Sequence, residues 1–225
     1  MPASGYKPSF IQHSSSNAKT VRDKRISTLL RLKRSLDLLG AAALIVLLLP
    51  VFAAISLLLA MEDGRPVIYR RRVVGVGGEF DAFKFRTMRH DADALLAANL
   101  TLRAEYERNF KLRNDPRVTT VGAILRKLSL DELPQLLNVL RGQMSLVGPR
   151  MITAPELSKY GQQQRRLLSV KPGLTGYWQV HGRQNVSYEE RVAMDIYYID
   201  NWSLLMDLTI LAKTPLKILQ REGAF

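Results

Sequence analysis

The sequence predicts a mainly helical α+β protein of the monotopic membrane kind. A proline-broken membrane helix enters one leaflet and returns, and a small domain with a short β element follows on the cytoplasmic side. Three observations carry this. Leu38 to Met61 runs for 24 residues without an ionisable group. Pro50 lies near the centre of that run, where it deletes a backbone hydrogen bond and clashes with the preceding turn. Basic clusters flank both ends, Arg31, Lys33 and Arg34 before it and Arg65, Arg70, Arg71 and Arg72 after it, whereas a spanning helix leaves its basic residues mainly on the cytoplasmic side.

Residues 1–34 form a basic, flexible arm, 35–61 the re-entrant helix, and 62–225 the cytoplasmic domain with interfacial amphipathic helices. Within residues 1–36, eight Lys and Arg stand against Asp23 alone, which places seven of the chain's 13 net positive charges there. Such an arm is drawn to anionic headgroups, by on the order of 1 kcal/mol per residue held at the surface. The apolar run is too long for a cleavable signal peptide. At ~1.5 Å per residue it could also cross a ~30 Å hydrocarbon layer as a kinked spanning helix, which is the second reading.

From Pro66 to Met88, two β-prone runs around Gly75, Gly77 and Gly78 predict a hairpin-like element followed by a strand. The glycines lack the Gly-Lys-Ser/Thr ending of a phosphate loop and mark a turn instead. Apolar spacing over Asp91–Lys111 predicts one amphipathic helix. Trp202–Leu219 predicts another, lying on the membrane surface or in the core.

Composition limits the chemistry. The 225 residues contain no cysteine, which excludes a disulfide framework, a thiolate zinc site, an iron–sulfur cluster and a cysteine nucleophile. The surplus of positive charge calls for a polyanionic partner: nucleic acid, anionic lipid or a phosphorylated substrate.

The densest chemistry lies between Asn114 and Arg150, where Asp131 and Glu132 follow Arg126 and Lys127 and precede Arg141 and Arg150. Carboxylates among cations suit phosphoryl transfer, in which cations neutralise phosphate oxygens while a carboxylate attacks or holds a metal. A plainer reading stands beside it. Ser129-Leu-Asp-Glu132 has the spacing of a helix capping box, and Asp131 would then only favour the positive end of the helix. Likewise Lys84 and Arg86 alternate with Phe83 and Phe85 as a solvated strand face would. Arg150 after Gly148-Pro149 could be an exposed loop cation, and Trp178 a core or interface residue.

A set of ordered motifs resembles the bacterial sugar transferase family, the monotopic phosphoglycosyl transferases. They are Lys33-Arg-Ser-Leu-Asp37, Gly64-Arg-Pro-Val-Ile-Tyr69, Phe83-Lys-Phe-Arg-Thr-Met88, Asp115-Pro-Arg-Val118, Leu128-Ser-Leu-Asp-Glu-Leu-Pro-Gln135, Ser145-Leu-Val-Gly-Pro-Arg150 and Lys171-Pro-Gly-Leu-Thr-Gly176, with Trp178-Gln179 and Gly182-Arg183. The resemblance covers residues 31–225. Leu49-Pro50 departs from the Ser-Pro common in the family's membrane break, and Met151 stands where a second proline is frequent.

The resemblance implies transfer of a sugar 1-phosphate from a UDP-sugar to undecaprenyl phosphate, with release of UMP. Asp131 would carry the phosphosugar covalently and Glu132 would hold Mg²⁺. Lys84, Arg86, Arg126 and Arg150 would bind phosphates, and Gly176, Trp178 and Arg183 would shape the nucleotide end. It further implies the cytoplasmic face of a bacterial inner membrane, an anionic bilayer, and downstream glycosyltransferases that extend an exopolysaccharide or glycan, with homodimer formation left open. No nucleic acid is expected. The rival class is a membrane-anchored basic protein that binds nucleic acid or anionic lipid without turnover.

Overall fold

The computed structural model describes residues 11–109, 112, 115–182 and 186–219. Contacts group residues 1–36 as one unit and Asp37–Phe225 as another. The first unit supplies the start of helix α1 (Ile11–Asp63), and the second holds all that follows.

Helix α1 runs without interruption, with Pro50 inside it. A proline removes its own amide bond and crowds one carbonyl, while neighbouring turns keep theirs, so a kink need not end a helix. From Asp37 onward one stripe of α1 is buried against the domain: Asp37, Ala41, Ile55 and Leu59, with Ile45 and Phe52 half-buried between them. Spacings of three, four and seven place these residues on one helical face. The other face is bare, with Leu39, Val46, Leu47, Leu57 and Met61 between 62% and 76% exposed. A contiguous apolar face of this kind marks an interaction surface, and Ile26–Asp63 is long and apolar enough to cross a membrane.

Both ends of that apolar stretch are tied to the domain. Asp37 Oδ1 accepts hydrogen bonds from Ser145 Oγ at 3.0 Å and from the Leu146 amide at 2.9 Å. At the far end, Glu62 Oε1 accepts from the Val121 amide at 2.9 Å and Asp63 Oδ2 from the His90 amide at 3.0 Å.

A tight hairpin follows. Strands β1 (Ile68–Gly75) and β2 (Gly78–Phe85) pair antiparallel from Ile68↔Phe85 to Gly75↔Gly78 across a two-residue loop. Gly78 has φ 107°, the left-handed backbone glycine favours at such a turn. The expected separate strand is absorbed as the second half of β2. Alternation places Lys84 on the same face as buried Phe80 and Ala82. The expected helix over Asp91–Lys111 is instead two, α2 (Ala92–Ala98) and α3 (Leu100–Asn109), with Lys111 outside the described residues. Asn99 divides them in an extended conformation, and its Oδ1 caps α3 by accepting from the Leu102 amide.

Helix α4 (Thr120–Lys127) leads into a 3-10 turn over Leu130–Gln135, then α5 (Leu136–Leu140) and strand β3 (Ser145–Val147). A second 3-10 segment, Pro155–Gln163, precedes α6 (Gln164–Leu167) and strand β4 (Gly173–Thr175), which pairs parallel with β3. The remaining helices are α7 (Tyr177–His181), α8 (Tyr188–Asp200) and α9 (Leu204–Leu219). Ser187 and Glu190 form a reciprocal capping box on α8. Leu136, Val139, Met144, Val147, Tyr198 and Ile210 make the main core together with Ala41 of α1. On α9, Ile210 is buried while Leu205, Leu208 and Leu216 are exposed, so the expected amphipathic helix is present with one face in the core.

Candidate active site

The turn carrying Asp131 and Glu132 is shaped locally and then pinned. Thr119 Oγ1 caps α4 by accepting from the Gly122 amide at 3.0 Å. After α4, Ser129 takes the left-handed conformation, φ 53°, and makes no side-chain cap bond. The capping-box reading of Ser129 and Glu132 is thus corrected: the reversal at Ser129 swings Glu132 out of reach of a cap, and its carboxylate turns to Lys84. Pro134 and Gln135, which follow the pair in the same turn, are buried.

Asn138, completely buried on α5, holds the opposing strand. Its Oδ1 accepts from the Phe83 amide at 2.9 Å, and its Nδ2 donates to the Asp81 carbonyl at 2.7 Å and to Gln143 Oε1 at 2.8 Å. These bonds fix the segment of β2 next to Lys84 against the acidic turn.

Across that junction Lys84 Nζ lies 2.5 Å from Glu132 Oε1 and 3.7 Å from Asp131 Oδ2. The Lys84 side chain is 14% exposed and that of Asp131 12%, so the solvated-face reading of Lys84 does not hold. The two carboxylates differ electrostatically. Burial raises the Asp131 carboxyl above its ordinary range, with Glu132 adding to the rise and Lys84 and Arg126 opposing it. Burial also acts to raise Glu132, but Lys84 and Arg150 outweigh it and hold the Glu132 carboxyl low. One ammonium thus neutralises Glu132 by direct contact and keeps Asp131 within reach of ionisation.

The other expected residues are placed as follows. Arg126 is largely buried; its Nε donates to Thr87 Oγ1 at 2.8 Å, and desolvation lowers its pKa while Asp131 and Asp115 oppose that shift. Arg86 is engaged at the end of α1, where it donates to the Asp63 and Gly64 carbonyls at 2.7 and 2.8 Å and pairs with the Asp63 carboxylate at 3.3 Å. Arg150 lies over the Trp178 ring at 5.2 Å and contributes to the low carboxyl of Glu132. A Cβ on Gly176 would meet the Gly148 carbonyl oxygen at 2.2 Å, so this glycine is required by the close approach of α7 to the Gly148–Arg150 loop. Arg183 lies outside the described residues.

Two residues of the site escaped sequence reasoning. Asn138 sits in an apolar run that reads as helix interior, and only its burial reveals its clamp. Arg191, 4.4 Å over the ring of Trp178, follows two glutamates in what reads as a solvated helix.

The chain belongs to the bacterial sugar transferase family, whose profile matches residues 28–221. It is 46% identical over 198 residues to a UDP-galactose-lipid carrier transferase of Erwinia amylovora, covering 86% of this chain and 42% of that protein. It is equally identical to exopolysaccharide production protein ExoY of Rhizobium meliloti, over 86% of this chain and 88% of the relative. A third relative, undecaprenyl-phosphate galactose phosphotransferase of Salmonella typhimurium, is 45% identical over 86% of this chain and 42% of its own length. The chain therefore spans under half of two of these relatives and nearly all of the other. Membership in a family of transferases sets aside the reading as a basic binding protein without turnover.

Proposed function

We propose that the protein transfers a sugar 1-phosphate from a UDP-sugar to undecaprenyl phosphate, as an early membrane step in exopolysaccharide or glycan assembly. The reading rests above all on the Lys84-bridged Asp131–Glu132 pair. In the first step an Asp131 oxygen attacks the β-phosphorus of the UDP-sugar, the bond from that phosphorus to the bridging oxygen breaks, and UMP leaves. In the second, a phosphate oxygen of undecaprenyl phosphate attacks the same phosphorus and the Asp131–phosphorus bond breaks, giving the lipid diphosphate sugar and free Asp131. Carboxylate and phosphate are both anionic near neutral pH, so neither step needs a general base. Lys84 favours the ionised form of Asp131 against its burial, and Arg150 and Arg126 balance phosphate charge.

Among the described residues no cluster of three or more His, Asp or Glu could hold a metal alone. Asp131 and Glu132 nevertheless fit Mg²⁺, which takes one or two carboxylates and completes its shell with substrate phosphates and water. Glu132, with its carboxyl held low, would be the principal protein ligand. When bound, Mg²⁺ would offset the repulsion between the anionic nucleophile and the diphosphate.

Placement at the cytoplasmic face of the inner membrane, with α1 re-entrant, is supported by the ties at Asp37 and at Glu62–Asp63. A straight helix over these 27 residues would measure ~40 Å and carry its ends to opposite sides of a ~30 Å hydrocarbon layer. Both ends instead bond to one domain, and the bare leucines of α1 and α9 offer the surface that would sit in lipid.

UMP release from a panel of UDP-sugars, beginning with UDP-galactose, tests the reading with detergent-solubilised protein, Mg²⁺ and undecaprenyl phosphate. Wild type turns over one donor and, without acceptor, gains the mass of a phosphosugar. Asp131→Asn does neither. Full activity in that variant would overturn the covalent mechanism.

A further inference from the structure

Among the described residues, five buried side-chain polar atoms lack a hydrogen-bond partner, and three belong to side chains packed on one another: Trp178 Nε1, Tyr188 Oη and Arg191 Nε. Buried polar groups are nearly always satisfied, so several orphans together call for an explanation. Here they share one cluster with a second cation, Arg150. The Arg191 guanidinium lies 4.4 Å from the Trp178 ring centroid and 5.5 Å from that of Tyr188, and Arg150 lies 5.2 Å from the Trp178 ring. Among the described residues neither guanidinium pairs with a carboxylate or donates a side-chain hydrogen bond.

The carboxylates that could neutralise them are engaged elsewhere. Asp195, one turn beyond Arg191 on α8, accepts from the Arg150 amide at 3.2 Å and from the Tyr160 hydroxyl at 2.7 Å. Glu156 accepts from the Thr153 amide and hydroxyl and from Arg71. Two cations are thus gathered on one indole with their own anions diverted. Desolvation and, after it, repulsion from Arg150 lower the Arg191 pKa, and outweigh the opposing pull of Tyr188, Tyr160 and Asp195. The cluster also adjoins the acidic turn, since Arg150 is among the charges that act on Glu132.

We infer that Arg191, together with Arg150 and Trp178, forms an anion site that takes a phosphate group of one of the two substrates. Planar guanidiniums grip phosphate oxygens in a two-pronged fashion, and the neighbouring indole N–H and phenol O–H supply further donors. The inference rests on the transfer reading. It adds Arg191 and Tyr188 to the binding residues, and it assigns them to phosphate and not to the sugar hydroxyls. The same chemistry is offered by the nucleotide and by the phosphate of the lipid acceptor.

The test measures binding, separately from turnover. Full-length wild type, Arg191→Gln and Arg191→Lys, in neutral detergent without Mg²⁺, are titrated with UMP and with undecaprenyl phosphate. Melting temperature and circular dichroism check the fold. Arg191→Gln, which keeps most of the side chain's stem, is expected to bind one ligand at least tenfold more weakly, and Arg191→Lys to recover part of the loss. Weakening with UMP assigns the site to the nucleotide, and weakening with undecaprenyl phosphate to the acceptor. Unchanged affinity for both ligands in folded Arg191→Gln, alongside binding by wild type, overturns the inference and leaves the transfer reading standing. Wild type that neither binds nor turns over either substrate overturns both.

Discussion

Replacing Lys84 by Met keeps the stem and removes the charge that serves both carboxylates. At the 3.7 Å separation from Asp131, the lost attraction is about 4 kcal/mol for an effective dielectric of ~20, the value suited to partly buried pairs. Each 1.4 kcal/mol is tenfold in an equilibrium, so the ionised share of Asp131 at neutral pH falls by up to roughly a thousandfold. Turnover of UDP-sugar to UMP should fall by ~10²–10³ at pH 7, because substrate cations restore part of the field. The sign of the pH effect is fixed. Burial already raises the Asp131 carboxyl, and losing Lys84 raises it further, so the acidic limb of the rate profile moves to higher pH. Activity in Lys84→Met therefore recovers as pH rises from ~7 toward ~9. The assay is kcat/KM for UMP release across that range, with protein integrity checked by melting. A loss of the same factor at every pH would mean that Lys84 serves only to bind substrate, and unchanged activity would remove it from the site altogether; either result refutes the reasoning.

Two further predictions concern stability. Burial pushes the Asp195 carboxyl up to about 6, so the folded chain binds a proton there that the unfolded chain releases near pH 4. Wild type should accordingly lose ground to Asp195→Asn as pH rises from about 4 to about 6, by on the order of 3 kcal/mol, with a constant difference above that window. Melting temperatures of the two proteins across pH check the sign, and parallel curves count against it. For Gly122→Ala, the new Cβ would lie 2.3 Å from the Thr87 carbonyl oxygen, a backbone clash costing ~1–3 kcal/mol. That lowers the melting temperature by several degrees, whereas Gly77→Ala, with nothing within 4 Å of its Cβ, should leave it unchanged.

What the sequence revealed followed the range of the interactions involved. The apolar run of α1 and the glycine-marked hairpin are local patterns, and both are present. Asn99 could have warned of the split between α2 and α3, since a short polar side chain that accepts from an amide three residues on favours a helix start over a helix interior. Asp131 and Glu132 were legible through the ordered motifs, while the local spacing pointed to a cap that does not form. The decisive partner of Glu132 is Lys84, 48 residues away, and that of Asp37 is Ser145, 108 residues away. No periodicity encodes such pairings. They exist because β2 packs on the acidic turn and because Asn138 fixes the strand there. Arg191 was hidden for the same reason: its surroundings come from α7 and the Gly148–Arg150 loop, which Gly176 allows to approach.

The two hydrogen-bonded ties of α1 bear on how the lipid substrate is met. A helix fastened to the domain near Asp37 and again near Glu62 cannot bob or tilt independently of the catalytic turn, so it acts as a depth gauge. On the proposed reading the Asp131 carboxylate rides at one constant height over the headgroups, level with the phosphate of an embedded polyprenol. Encounter with the acceptor then becomes a search within a plane. Its rate is governed by how many carriers occupy each patch of bilayer, and diluting the carrier with inert lipid slows the second step even when the total amount in the vessel is unchanged.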